Sequence, residues 1–334
     1  MTKQIEIKSG TYKIRGKDVE LAGMVFPMVE EFKVGSQGGY VTVDGKAMAG
    51  FPDRNIKIKV NSEADYALTK KSTTVREETD EETIERLRER FQILEDMTRA
   101  CKKGDVRAMI VTGPPGVGKS FGVEKVLGKH DMIATLSEKA PKYQVVKGAM
   151  SAIGLYCKLF NYADKDNVLV FDDCDSILQE DLSLNILKAA LDSKKTRRIH
   201  WNTDSFKLRN EGVPDSFEFK GSAIFITNIK FDNVKSKKMR DHLEALESRC
   251  HYIDLAIDTD REKMLRIKQI TNDGMLTEYM LGEEVVQEIV DFIDINKKRL
   301  RELSLRTVLK VADLAKAFPD KWEAMAENTV MRRA

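Results

Sequence analysis

Apolar side chains recur at every second position through Ile5, Ile7, Val41, Val43, Ile56, Ile58 and Val60, the period of strands with one buried face. Glycine-rich turns from Gly35 to Gly39 and at Gly45 lie between them, so the pattern predicts a β-rich N-terminal domain over residues 1–65. From Glu63 to Asp80 neither period is sustained, and Lys70, Lys71, Ser72, Thr73 and Thr74 fill the middle of a polar stretch, read as a linker over residues 66–80. Ile84, Leu87, Phe91, Leu94 and Met97 then fall at helical spacing and predict a long amphipathic helix ending near Gly104.

Beyond that helix the pattern alternates. Short apolar runs at Met109 to Val111, Met132 to Ala134, Val168 to Phe171, Ala223 to Thr227 and Tyr252 to Leu255 read as strands buried on both faces. Helical periods intervene at Phe121 to Leu127, Val145 to Leu159, Leu182 to Leu191 and Met239 to Leu246. Alternation of this kind predicts a doubly wound α/β domain with a parallel sheet over residues 81–257. Only helical periods remain over residues 258–334, through Met264 to Ile270, Val285 to Ile295, Leu305 to Ala315 and Trp322 to Met331, with Ser304 placed to cap the third. A small all-helical C-terminal domain follows.

Composition narrows the classes. At 42% hydrophobic and 33% charged residues the chain is neither fibrous nor disordered, and a net charge of +2 means that any basic site must be local. The four cysteines, Cys101, Cys157, Cys174 and Cys250, form no Cys-x-x-Cys pair, and the four histidines are scattered, so a structural zinc or a disulfide framework is not expected. No stretch approaches the roughly 20 apolar residues of a spanning helix, and no export signal is read at the N-terminus. The expected location is the cytoplasm.

The most specific pattern is Gly113-Pro114-Pro115-Gly116-Val117-Gly118-Lys119-Ser120, a glycine, four residues, then Gly-Lys-Ser, between a strand and a helix. Glycines let backbone N–H groups converge on phosphates while the following helix presents its positive end. Lys119 is expected to reach the β and γ phosphates of ATP, and Ser120 to ligate Mg²⁺. The strand Val168 to Phe171 ends in Asp172 and Asp173, placed for the metal shell and for polarising the attacking water respectively; with Asp175 they would equally suit a helix N-cap cluster.

In order along the chain, Gly113 to Ser120, Asp172-Asp173, Asn228 closing Ile224-Phe225-Ile226-Thr227, Arg249 in Leu246-Glu247-Ser248-Arg249-Cys250 and Arg306 in Leu303-Ser304-Leu305-Arg306 resemble the motifs of AAA+ ATPases. The resemblance covers the α/β and helical domains and not the first 75 or so residues. It implies an ATPase in which Asn228 is the sensor 1 residue, Arg249 the arginine finger acting on a neighbouring subunit, and Arg306 the sensor 2 arginine of a helical lid. A finger in trans implies a ring oligomer, most often a hexamer. Surface salt bridges are the plain alternative for Arg249 and Arg306, a strand-end turn for Asn228. One departure is Asp173, where the family has glutamate. Arg240 is a second candidate finger. The region from Asp172 to Asn228 is also similar to AAA+ ATPases encoded by bacteriophages, which would place the protein in the host cytoplasm.

Two segments bear on what such a motor would act upon. Between Leu191 and Ala223 lie Lys194, Lys195, Arg197, Arg198, Lys207 and Arg209, with Trp201 and Phe206 interleaved. Cations on a projecting hairpin suit DNA phosphates and aromatics suit base stacking, as the resemblance to helicase and initiator AAA+ proteins also implies. A solvated hairpin with both aromatics packed beneath it is the alternative. Tyr143, in Ala140-Pro141-Lys142-Tyr143-Gln144, resembles the pore-loop tyrosine of AAA+ protein unfoldases, which would make the partner a protein client; packing at a helix start is the other reading.

Overall fold

The computed structural model describes residues 3–14, 17–36, 38–45, 51, 55–69, 78–136, 141–229, 231, 234 and 237–332. They fall into two compact units, Met1–Thr79 and Asp80–Ala334.

In the first unit, β1 (Gln4–Ile7), β2 (Thr11–Ile14), β3 (Lys17–Glu20), β4 (Val25–Gly35), β5 (Gly38–Asp44), β6 (Asn55–Lys59) and β7 (Tyr66–Thr69) form one sheet in the order β3-β2-β6-β5-β4-β1-β7. Every neighbouring pair is antiparallel. The period of two is realised directly: Ile5, Ile7, Val41, Val43, Ile56 and Ile58 are buried in one core with Phe26. The stretch expected as a linker from residue 66 opens with β7, because Tyr66 to Thr69 pair backbone to backbone with β1 even though Leu68 stays 65% exposed. Residues 70–77 of that stretch lie outside the described residues.

The second unit opens with α1 (Asp80–Lys102), whose Leu87, Phe91 and Leu94 are buried at the expected spacing. Next come β8 (Ala108–Thr112), α2 (Lys119–Leu136), β9 (Tyr143–Lys147), α3 (Ala152–Asn161), β10 (Val168–Asp172), α4 (Ser176–Gln179) and α5 (Asp181–Ala190). A two-stranded insertion follows, β11 (Arg198–His200), α6 (Phe206–Asn210) and β12 (Ser216–Glu218), then β13 (Ser222–Ile226), α7 (Lys237–Glu247) and β14 (His251–Asp254). The main sheet is wholly parallel in the order β14-β8-β13-β10-β9. Alternation within β8, β10 and β13 sends Ile110, Phe171 and Phe225 to one core and Val111, Val170 and Ile226 to the other. A sheet covered on both faces accounts for the unbroken apolar runs.

One strand expectation is corrected. Met132 to Ala134 lie within α2, and the strand comes later as β9, where a helix was expected to start at Val145. An apolar triplet carries no period of its own, so continuation of an established helix decides it. The chain then forms α8 (Asp260–Asn272), α9 (Glu283–Asn296), α10 (Leu305–Ala317) and α11 (Trp322–Val330) around a separate apolar core. No helix among the described residues is long and apolar enough to cross a membrane.

Candidate functional site

The C-terminal ends of β8, β10 and β13 bring the principal expected residues together. Gly113 to Gly118 turn from β8 into α2, and the turn requires glycine: Gly113 and Gly116 have φ of 148° and 71°. A Cβ on Gly113 would lie 2.9 Å from the Leu255 carbonyl oxygen, and one on Gly116 would lie 2.6 Å from the Ser304 Cβ. Pro114, Pro115 and Val117 fill the rest of the loop, Val117 with its side chain in the core shared by α1.

Lys119, the first residue of α2, is buried, and its Nζ donates to the carbonyls of Gly113 (2.7 Å) and Pro114 (2.9 Å) and to Asn228 Oδ1 (2.7 Å). Burial pulls its pKa down to about 8, against the opposing pull of Asp173. The amide of Asn228 faces both ways, since its Nδ2 donates to Asp173 Oδ1 at 3.0 Å. A continuous chain Lys119–Asn228–Asp173 therefore spans the ends of three strands. Asp173 adopts the left-handed region at φ 52°, held by its own N–H to the Ile226 carbonyl at 3.0 Å. Partial burial, then the neighbouring charges of Asp172 and Asp175, raise its pKa.

Ser120 donates to Asp172 Oδ1 at 2.9 Å, while the other oxygen of Asp172 meets Lys147 Nζ at 3.3 Å. A hydroxyl and a carboxylate side by side are the hard oxygen donors that Mg²⁺ takes, and their chemistry fits that ion. Lys147 was not anticipated. It occupies the register position opposite Asp172 in the β9–β10 pair, a neighbour that strand register alone creates. Asp175 does not cap α4; its Oδ1 accepts from the Thr227 hydroxyl at 2.7 Å, so the N-cap reading fails for that residue.

From the C-terminal helices, Arg306 in the first turn of α10 is exposed, and its charge bears on both Lys119 and Asp173. The start of α10 docks on the glycine loop through Leu305 N–H to the Gly116 carbonyl at 2.9 Å. Ser304 occupies the N-cap position, but its hydroxyl makes no capping bond and is buried without a partner, as is Glu302 Oε1. Arg266 of α8 lies buried over the Phe91 ring at 3.5 Å and bonds Gln269, tying the helical part to α1.

Arg249 is not part of this cluster. It stands in the turn after α7, half-buried, and bonds the Ala245 carbonyl and Ser248. Arg240 is exposed and donates to the Val234 carbonyl at 2.8 Å.

The insertion departs from its expected form. Arg197 is buried, with its guanidinium on the carbonyls of Ala190 and Gly221, each at 3.1 Å, so it is a structural residue and not a surface cation. Arg209 pairs with Asp204, Lys207 lies 3.8 Å from Glu211, and Arg198 bonds Ser216; Lys194 and Lys195 are exposed. Trp201 is half-buried, 5.5 Å from the ring of Tyr156, whereas Phe206 is 72% exposed. Tyr143 lies in β9, half-buried against the α1-side core, which is not the position of an exposed gripping residue.

No family model matches the chain. It is 33% identical over 334 residues, 97% of each chain, to an uncharacterized 36.7 kDa protein of the nrdC-mobD intergenic region of Enterobacteria phage T4. Among solved structures it is similar to the replication initiator DnaA bound to AMPPCP and single-stranded DNA, at 12% identity and a TM-score of 0.38 over 71% of this chain and 63% of that one. A second is the ORC2 protein of Aeropyrum pernix in its ADP form, at 13% identity and a TM-score of 0.42 over 72% of this chain and 68% of that one. A third is domain III of Thermotoga maritima DnaA, at 9% identity and a TM-score of 0.41 over 73% of this chain and 91% of that one. These structural likenesses are loose.

Proposed function

We propose, from the premise that the chain belongs to the family of the uncharacterized 36.7 kDa phage T4 protein, that it is a magnesium-dependent ATPase of the AAA+ type that works on DNA in an oligomeric ring. The observation that carries the nucleotide part is the chain Lys119–Asn228–Asp173 beside a glycine turn at the ends of β8, β10 and β13. Lys119 donates to two neutral loop carbonyls; a triphosphate tail would offer it charged oxygens instead, and binding would exchange one set of partners for the other. The loop amides and the start of α2 would hold the β and γ phosphates. Asp173, with its carboxylate oriented by Asn228, would accept the proton of the water that attacks the γ phosphorus as the anhydride bond to the β phosphate breaks. Ser120 and Asp172 would hold Mg²⁺, which when bound supplies charge neutralisation at the phosphate oxygens. Arg306 would sense the γ phosphate from its own subunit and Arg249 that of a neighbour, most simply in a hexamer.

A second reading, a nucleotide-dependent switch with little turnover, is favoured by one specific feature: Asp173 is a methylene shorter than glutamate and sits on strained backbone. Turnover with and without single- and double-stranded DNA separates the two. A motor is expected to be stimulated by DNA, and a switch to retain ATP over many minutes whatever is added. Lys119→Ala should abolish ATP binding, and unchanged binding in that variant would remove the loop from the nucleotide site.

A further inference from the structure

We propose that Lys298, Arg299, Arg301 and Arg332 form a contact surface for the phosphate backbone of a nucleic acid. After α9 the chain pairs with the segment that follows α11 through an antiparallel bridge between Leu300 and Met331. Arg301 N–H donates to the Val330 carbonyl at 2.9 Å and Arg332 N–H to the Arg299 carbonyl at 2.8 Å. Leu300 and Met331 are buried in the core of the helical part. Neighbouring positions of a strand face opposite ways, so Arg299 and Arg332 stand across from each other on the outer side, both exposed.

Like charges directly opposite in an antiparallel pair are destabilising, with Cβ atoms only about 5 Å apart. Among the described residues no carboxylate pairs with either arginine. Asp294 is already held by Lys268 (2.7 Å) and Lys297 (2.8 Å), and Glu302 turns its Oε1 inward toward Gly116. Among the described residues, none of the four cations makes a side-chain hydrogen bond or an ion pair. In the segment from Lys194 to Arg209, by contrast, Arg197, Arg198, Lys207 and Arg209 are engaged.

Three guanidinium forks on one outer face, with the exposed ammonium of Lys298 next to them in sequence, suit a dense array of singly charged oxyanions. Duplex DNA supplies such an array, with one charge per about 1.7 Å of axis. The patch contains no amide or aromatic side chain to read base edges, so the contact is to backbone and independent of sequence. This deepens the nucleic-acid half of the proposed function and rests on it.

The test is a salt titration of a short fluorescent duplex of arbitrary sequence against the full chain, comparing wild type with Arg299→Gln/Arg332→Gln and with Arg198→Gln/Lys207→Gln. The first double variant should lose roughly two from the slope of log affinity on log salt, about 0.9 for each phosphate contact removed. The second should keep the wild-type slope, and MgATP affinity should be equal in all three. Wild-type binding with an unchanged slope in Arg299→Gln/Arg332→Gln overturns the patch alone. Wild-type protein that holds neither duplex nor single strand removes the nucleic-acid reading itself. Polyglutamate competing as well as duplex at equal charge assigns the patch to an acidic protein and overturns the proposal.

Discussion

At the residue scale, Lys119 carries an energetic conflict between its charge and its burial. Its ammonium is buried against two neutral carbonyls and an amide, and its pKa falls from 10.5 to about 8. In the unfolded chain the same group keeps its proton up to the higher value. Between about pH 8 and 10.5 the unfolded state therefore binds more protons than the folded one, and stability rises with pH across that window. Below pH 8 the cost is present in full, roughly 3 kcal/mol at most for a shift of this size. Lys119→Met should remove the dependence: denaturant midpoints of the ligand-free protein at pH 7 and at pH 10 should converge in the variant relative to wild type. Equal pH slopes in the two proteins would mean that the burial of Lys119 has no energetic consequence. A buried ammonium whose pKa is lowered favours a polyanion, because phosphate oxygens restore the charged form.

At the element scale, the docking of α10 on the glycine loop separates two readings of one serine. Ser304 before an apolar helix reads as an N-cap, and a cap lost to alanine costs about 1 kcal/mol. The hydroxyl is instead buried with no partner, and the helix start is fixed by the Leu305 N–H bond to Gly116 and by Thr307 Oγ1 donating to the Glu302 carbonyl at 2.6 Å. Removing an unpaired buried hydroxyl relieves a desolvation cost of order 1 kcal/mol, so Ser304→Ala should raise the urea midpoint or leave it unchanged. A fall of about 1 kcal/mol would reinstate the cap. The same contrast marks what was legible beforehand. The glycine loop, the acids at the end of β10, Asn228 just after β13 and the helices of the C-terminal part were readable because each depends on local spacing. β9 was not, since Met132 to Ala134 imitate a buried strand while Tyr143 to Lys147 lie on a half-covered edge of the sheet. With β9 misplaced, the pairing of Lys147 with Asp172 was invisible, because it exists only in strand register. Arg197 looked like a surface cation because its neighbours are; the carbonyls of Ala190 and Gly221 that bury it come from elements distant in sequence.

At the scale of the whole molecule, the question is whether one chain contains a complete catalytic set. Lys119, Asn228, Asp173, Ser120, Asp172 and Arg306 converge, whereas Arg249 bonds its own turn and lends its charge to Asp192 and Cys250. If Arg249 serves the site of an adjoining copy, turnover per chain must rise with protein concentration, and Arg249→Ala should keep ATP affinity while losing about 10³-fold in turnover. Mixing gives the sharper discrimination. Lys119→Ala has a dead site but an intact Arg249; Arg249→Ala has an intact site but no finger. Each is expected to be inactive alone, and together they should regain activity, because in a mixed assembly the Arg249 of one chain completes the site of the next. An arginine acting within its own chain gives no such recovery at any ratio, and neither does one that merely stabilises the turn after α7.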